Sequence, residues 1–229
     1  MPDPAPDGRR RARLRSPGPA AWTALVSSTA FALLALWVSL APVGPLPGDP
    51  GPHAWSLVHR PALGLAVARA VTATGTGVWP YALVVLAGLY AGRGTPRRLL
   101  AAAAFALCLA GGQAVRYTVM ALIARPRPPA ADWATHAGNW SFPSGHATTG
   151  ALVSGLLLAA LALRGSPGPA RTAAAVLIVA WGAAVGLSRV YLGVHWPSDV
   201  LGGWLLATAW LSLATLTARR YGLGPATGT

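Results

Sequence analysis

Within the twelve residues Ser188-Arg189-Val190-Tyr191-Leu192-Gly193-Val194-His195-Trp196-Pro197-Ser198-Asp199 the chain carries an arginine, a histidine and an aspartate. That is a dense allocation for a protein with five carboxylates and five histidines in all. Trp196-Pro197-Ser198-Asp199 predicts a helix start, because proline suits the first helical position and aspartate the first turn. His195 then lies just before that helix, with Asp199 one turn on and within reach of its ring. A carboxylate on one imidazole nitrogen fixes the tautomer and leaves the other nitrogen free to attack an electrophile. Arg189 adds a permanently charged fork shaped for phosphate oxygens. Nucleophile, orienter and anion clamp together point to phosphoryl chemistry. Alone, the same side chains could do no more than cap helix ends and snorkel.

Two further segments shift that balance. Pro143-Ser144-Gly145-His146 precedes a long apolar run, so Ser144 reads as a helix N-cap. The free N–H groups of Gly145 and His146 then point at an anion. Arg125-Pro126-Arg127-Pro128-Pro129 follows another apolar run and by itself reads as a rigid basic loop. All three segments fall at the ends of hydrophobic stretches.

The order Arg127-Pro128, Pro143-Ser144-Gly145-His146, then Ser188-Arg189 with five residues to His195 and three more to Asp199 resembles the type 2 phosphatidic acid phosphatase (PAP2) superfamily. Membrane lipid phosphatases, undecaprenyl-diphosphate phosphatases and vanadium haloperoxidases belong to it. The motifs cover residues 125–199, and the surrounding hydrophobic segments extend the likeness to most of the chain. The resemblance implies that Arg127, Arg189, Ser144 and the Gly145 N–H hold phosphoryl oxygens. It further implies that His195 attacks phosphorus while Asp199 orients it, and that His146 protonates the leaving group and then activates water. No metal or other cofactor is expected, since hard cations want several oxygen ligands. Asp199 is the only acid in the motifs, and the chain has no glutamate. The remaining histidines, His53, His59 and His136, read as interfacial.

The sequence departs from the family at one position. The first motif asks for a lysine seven residues before Arg127, where this chain has Met120, and all 18 basic residues are arginine. Arg116, one turn earlier, and Arg125 are the candidates for that charge. Against Arg116, the Cα–Cβ bond on an outward-running helix tilts back from the site.

The elements that must position these residues are hydrophobic. The chain is 54% hydrophobic and 10% charged over 229 residues, with mean hydropathy +0.49, which places it in the membrane class. The formal charge of +13 does not imply nucleic acid, because the arginines sit in short loops between apolar runs. The single cysteine, Cys108, excludes an intramolecular disulfide and a cysteine metal cluster. Three parts are expected: residues 1–18 as a disordered basic tail, 19–220 as one transmembrane domain, and 221–229 as a polar tail. Spans are predicted at Ala20–Ala41, Val78–Ala91, Leu99–Ala124, His146–Leu163, Thr172–Leu192 and Ser198–Ala218, with His53–Ala73 lying at the interface. Arg116, an intramembrane charge, should face the bundle interior. Gly182, Gly186, Gly202 and Gly203 would let the last two spans pack closely. The fold class is therefore all-α: a polytopic membrane helix bundle of about six transmembrane helices plus an interfacial helix.

Arginines crowd the N-terminal tail, the 93–98 and 164–171 loops and the C-terminus, and six spans put all four on one side. The positive-inside rule makes that side cytoplasmic, so both termini are expected there, with the motifs extracytoplasmic at the plasma membrane. A site at that depth suits a lipid whose phosphate sits at the headgroup level. Undecaprenyl diphosphate, phosphatidic acid, phosphatidylglycerophosphate and phosphorylated glycolipids all qualify, and family frequency alone favours the first. A phosphotransferase using the same histidine, and a non-catalytic membrane protein with a degenerate site, are the other classes. Nothing in the sequence specifies an oligomeric state.

Overall fold

The computed structural model describes residues 18–41 and 43–221. The expected basic tail up to residue 17 and the polar tail from residue 222 lie outside the described residues. Among the described residues the structure is all-helical, with eight α-helices: α1 Pro19–Leu40, α2 Pro50–Val58, α3 Ala62–Thr74, α4 Val78–Ala91, α5 Thr95–Ile123, α6 Gly145–Arg164, α7 Pro169–Tyr191 and α8 Pro197–Arg220. A short 3-10 turn covers Ala130–Asp132. Proline stands in the first turn of α1, α2, α5, α7 and α8, where its missing N–H costs no helical bond. At the end of α5 the chain turns out through Ala124 in the left-handed region (φ 49°), and Pro126 prevents the helix from resuming.

Helices α1, α5, α6, α7 and α8 are each long and apolar enough to cross a membrane, and the protein is a multi-pass membrane protein. The sixth crossing differs from the expectation of a single span at Val78–Ala91. Fourteen residues in α4 rise only ~21 Å against a hydrocarbon core of ~30 Å. α4 instead follows α3 across a 55° bend, and the two together are long and apolar enough to cross as one broken span. Gly77, at φ +64°, supplies the backbone conformation that a side-chain-bearing residue would resist. The segment expected at the interface therefore divides: Pro50–Val58 forms the short α2, while Ala62–Thr74 belongs to the bent span.

Helix α6 packs against α4, α5, α7 and α8, and α1 lies along α8. Val84, Leu109, Leu152, Val153, Leu156 and Ala207 form the main core around α6. A second cluster joins Leu34 and Val38 of α1 to Leu46 and Phe142, so it ties two loops to the bundle. The glycines act less uniformly than expected. Gly186 meets Trp204 and Val200 on α8, but Gly182 abuts Gly150 and Ser154 on α6, and Gly202 faces Phe142. Gly203 brings α8 against the start of α6, where a Cβ would come within 2.9 Å of the Ser144 carbonyl oxygen. That contact places the N-termini of α6 and α8 side by side, next to the C-terminal ends of α5 and α7.

Candidate active site

The ends of α5, α6 and α7, the bend between α3 and α4 and the neighbouring loops line a cavity of about 390 Å³. Gln113, Arg116, Tyr117 and Met120 line it from α5, Gly145, His146 and Thr149 from α6, and Arg189 from α7, with Arg127 and His195 from the loops. Its floor is therefore rich in guanidinium and imidazole groups.

His195 is 2% exposed and held from both sides. Its Nδ1 lies 3.3 Å from Asp199 Oδ2, and Ser141 Oγ stands 3.4 Å from the same nitrogen. On the far side, Arg127 Nη1 is 2.8 Å from Nε2. A guanidinium can only donate, so Nε2 carries the lone pair and Nδ1 the proton. The unprotonated nitrogen thus lies on the side of Arg127, and both residues line the cavity. Burial, with Arg127 and Arg189 pushing the same way and Asp199 opposing, lowers the imidazole pKa to about 4. His195 is neutral at any pH near 7, as an attacking nitrogen must be.

Asp199 is fully buried at the first turn of α8. Its Oδ2 accepts from the Trp196 N–H at 2.9 Å and from the Ser141 hydroxyl. Its Oδ1 accepts from Arg125 Nη1 at 2.6 Å. The Phe142-Pro143 loop is docked here too, with Ser144 N–H donating to the Asp199 carbonyl at 3.0 Å.

Three arginines point into the cavity without a carboxylate partner within salt-bridge distance among the described residues. Arg127 also donates to the carbonyls of Val194, Asn139, Gly138 and Trp140, which fixes its plane; burial lowers its pKa and Asp199 partly opposes this. Arg189 donates to Thr72 Oγ1 at 3.1 Å from Nη1, while its buried Nε has no partner. Arg116, 5% exposed, donates to Gln113 Oε1 at 3.0 Å and to Met120 Sδ at 3.4 Å, and its guanidinium carbon stacks 3.6 Å over the Tyr117 ring. Gln113 in turn donates to Thr149 Oγ1 on α6. A Cβ on Gly145 would sit 3.3 Å from Arg116 Nη1, so a larger residue there would push this guanidinium off the helix start by a few tenths of an ångström. The first N–H groups of α6 have no preceding turn to bond and add positive potential at the same place.

The structure thus brings Arg116, Arg127, Gly145, His146, Arg189 and His195 together around one space. Two of the expected phosphate ligands stand apart from it. Arg125 is 4% exposed and spends its fork on Asp49 at 2.8 Å and Asp199 at 2.6 Å, so it has no free donor face for a phosphate. Ser144 is fully buried, and its hydroxyl accepts from Ala147 N–H at 3.5 Å, capping α6. Arg116 goes the other way. Its Cα–Cβ bond starts away from the site, but the long side chain reaches back up one turn to Met120. Asp49, Thr72 and Ser141 were missed, and short-range pattern could not have found them, since their partners lie far along the chain; Gln113 was missed although it is the i, i+3 neighbour of Arg116 on α5. His53, expected at the interface, is buried and 3.0 Å from Asp132, while exposed His136 edges the cavity. Among the described residues no three His, Cys, Asp or Glu side chains gather where they could hold a metal.

The model of the PAP2 superfamily matches residues 99–222, more than half of the chain. Undecaprenyl-diphosphatase from Sulfolobus acidocaldarius is 38% identical over 81 residues, 34% of this chain and 33% of that protein. Lipid A 1-phosphatase from Rhizobium johnstonii is 40% identical over 37% of this chain and 30% of its own length. Phosphatidylglycerophosphatase B from Bacillus subtilis is 42% identical over 37% of this chain and 41% of its own length. The matched stretches therefore span well under half of these relatives. Among solved structures, the transmembrane PAP2-type phosphatidylglycerolphosphate phosphatase from Bacillus subtilis superposes with a TM-score of 0.74 at 24% identity, over 87% of this chain and 97% of that one. That likeness concerns the fold.

The state of His195 is directly measurable. In ¹⁵N-histidine NMR of the protein in detergent, the His195 imidazole, assigned by its loss in His195→Ala, should be the Nδ1–H tautomer at neutral pH and remain neutral down to about pH 5. Its midpoint should fall near 4. A midpoint at the ordinary histidine value, or an Nε2–H tautomer, would remove the argument for a nucleophile facing the cavity.

Proposed function

The chain belongs to the PAP2 superfamily, and from that footing we propose that it is a membrane lipid phosphatase that hydrolyses a phosphomonoester or diphosphate headgroup through a phosphohistidine on His195. One observation carries this reading. His195, its Nε2 unprotonated and held by Arg127 Nη1, lines a cavity that three guanidiniums without carboxylate partners also line.

The chemistry follows from those positions. Arg127, Arg189 and Arg116, with the Gly145 N–H, take the non-bridging oxygens of the phosphoryl group and the charge that builds on them in the transition state. In this account Arg116 supplies the cation that a lysine at position 120 would otherwise bring. Nε2 attacks phosphorus in line; the N–P bond forms as the P–O bond to the lipid breaks. His146 gives its proton to the departing oxygen. Water then attacks phosphorus, passing a proton to His146, and the N–P bond breaks to return neutral His195 and inorganic phosphate. Asp199 keeps the Nδ1 proton in place through both steps and stabilises the cationic ring while it is phosphorylated. Ser144 serves indirectly, by capping the helix that presents Gly145 and His146. The positive charge is all protein-borne, and the reaction proceeds without a metal ion.

The lining supports a lipid phosphate as substrate. It runs from His136 and Trp140 in the loop to Pro80, Tyr81 and Tyr117 on helices of the membrane-crossing bundle. A headgroup can sit among the arginines while its tail remains in lipid. The relatives are named for undecaprenyl diphosphate, lipid A 1-phosphate and phosphatidylglycerophosphate, and phosphatidic acid presents the same phosphoryl group. As for sidedness, Arg164 lies over the Tyr90 ring at 5.7 Å, so the arginine-bearing ends of α4 and α6 share the face opposite the cavity. By the positive-inside rule that face is cytoplasmic, as are both termini, and the site is extracytoplasmic in the plasma membrane.

Purified protein should release phosphate from at least one member of a panel of phosphatidic acid, phosphatidylglycerophosphate and undecaprenyl diphosphate, with activity within about twofold in excess EDTA. His195→Ala and His146→Ala should each lower turnover on the order of a thousandfold or more. Arg116→Ala should cost about tenfold or more in kcat/KM, and Met120→Lys on that background should restore part of it. No release from any lipid, or full activity in His195→Ala, would refute the reading.

Sidedness is tested separately. In a Cys108→Ser background, Ala131→Cys should react with an impermeant thiol reagent on intact cells, and Arg97→Cys only after lysis. The opposite pattern would place the site in the cytoplasm.

A further inference from the structure

Arg125 was singled out in the sequence and then left out of the phosphate site. Its surroundings show what else it does. Asp49, 2% exposed, and Asp199, fully buried, are two carboxylates withdrawn from water, and Arg125, itself 4% exposed, lies between them. Nη1 donates to Asp199 Oδ1 at 2.6 Å and to Ser198 Oγ at 2.7 Å. Nη2 donates to Asp49 Oδ2 at 2.8 Å and to the Gly44 carbonyl at 3.2 Å. Asp49 also takes hold of the start of α8: its Oδ1 accepts from the Ser198 N–H at 2.9 Å and its Oδ2 from the Ser198 hydroxyl at 2.7 Å. Leu46 N–H donates to the same oxygen at 2.8 Å, and the Leu46 side chain is packed into the α1 cluster.

The consequence for Asp199 is both geometric and electrostatic. Ser198 is the residue before Asp199, so Asp49 fixes the helical turn from which the Asp199 side chain departs. Arg125 then fixes one carboxylate oxygen, which leaves Oδ2 aimed at His195 Nδ1. A guanidinium bound to one aspartate alone would draw that carboxylate's charge towards itself. Shared between two, it neutralises Asp199 only in part, and Oδ2 stays a strong acceptor for the Nδ1 proton. A planar fork can bridge two carboxylates in this way; a lysine ammonium, a single point charge, cannot hold both in the same geometry. Burying either aspartate without the arginine would leave an uncompensated charge.

We propose that Asp49 and Arg125 are a positioning pair that places Asp199, and through it the His195 ring, so that the loop between α1 and α2 is a working part of the site. The proposal rests on the reading of His195 as nucleophile. Neither residue touches the substrate.

The test uses the purified full chain in detergent, with dioctanoyl phosphatidic acid and farnesyl diphosphate as probes and inorganic phosphate as a product inhibitor. Asp49→Asn keeps the shape and removes one charge. It should lower kcat about tenfold, while KM and the phosphate inhibition constant stay within about twofold, because the guanidinium clamp is untouched. Arg125→Met should lose about a hundredfold in kcat or more, with Arg125→Lys recovering part of that loss. The Asp49→Asn/Arg125→Met double variant should be no slower than Arg125→Met, since both changes break one linkage. Wild-type kcat in Asp49→Asn, or kcat and KM worsening together, would overturn the proposal. So would loss of the thermal transition in both Asp49→Asn and Arg125→Lys, which would make the pair purely structural. A wild-type protein inactive on both probes, by contrast, would count against the phosphatase reading itself.

Discussion

Positive charge gathered without anionic partners is the constraint to which the rest of this molecule answers. Arg116, Arg127 and Arg189 converge on one cavity, and their protein partners are carbonyls, a hydroxyl, an amide, a thioether and an imidazole. Like charges gathered around one partly buried space repel one another, and an incoming anion relieves the repulsion. The fold holds them in the C-terminal parts of α5 and α7 and in the loop after α5, facing the start of α6, whose first backbone N–H groups are free. In the proposed reaction a phosphoryl group entering this space would meet donors already gathered there, which is how electrostatic preorganisation lowers a barrier.

The carboxylates are arranged by the opposite logic. Asp199 and Asp49 are kept out of the cavity and tied to Arg125 and to the first turn of α8. This separation gives the two sets of arginines different work. Those facing the cavity are left short of anions, and the one behind His195 is saturated with them. His195 sits on the boundary, touching Arg127 with one nitrogen and Asp199 with the other.

Much of this was legible in the sequence because helix ends leave local marks. Ser144 before an apolar run, Pro197 with Asp199 in the same turn, and Arg127 after a long span each located a terminus and a candidate site residue together. The spans themselves followed from hydropathy, except where Gly75-Thr76-Gly77 breaks one crossing into α3 and α4. What stayed hidden depends on contacts between distant residues. Asp49 meets Ser198 across 149 positions, and Thr72 meets Arg189 across 117; no local pattern encodes either. Arg125 and Arg127 are two residues apart and chemically identical, yet a buried pair of aspartates claims one and leaves the other to the cavity. Arg116 was named as a candidate in spite of its backbone direction, and the length of its side chain carries the guanidinium back to Met120 at the cavity.

The account's central claim is that phosphate passes through His195, and a trapped intermediate tests it most directly. In His146→Ala, an activated ester such as p-nitrophenyl phosphate needs no acid to release its leaving group, but the second step lacks its base. The account expects a burst of nitrophenolate equal to the enzyme present, with ³²P on the His195 peptide, stable to alkali and lost in acid. Steady release with no protein-bound label, or label that persists after His195→Ala, would contradict it.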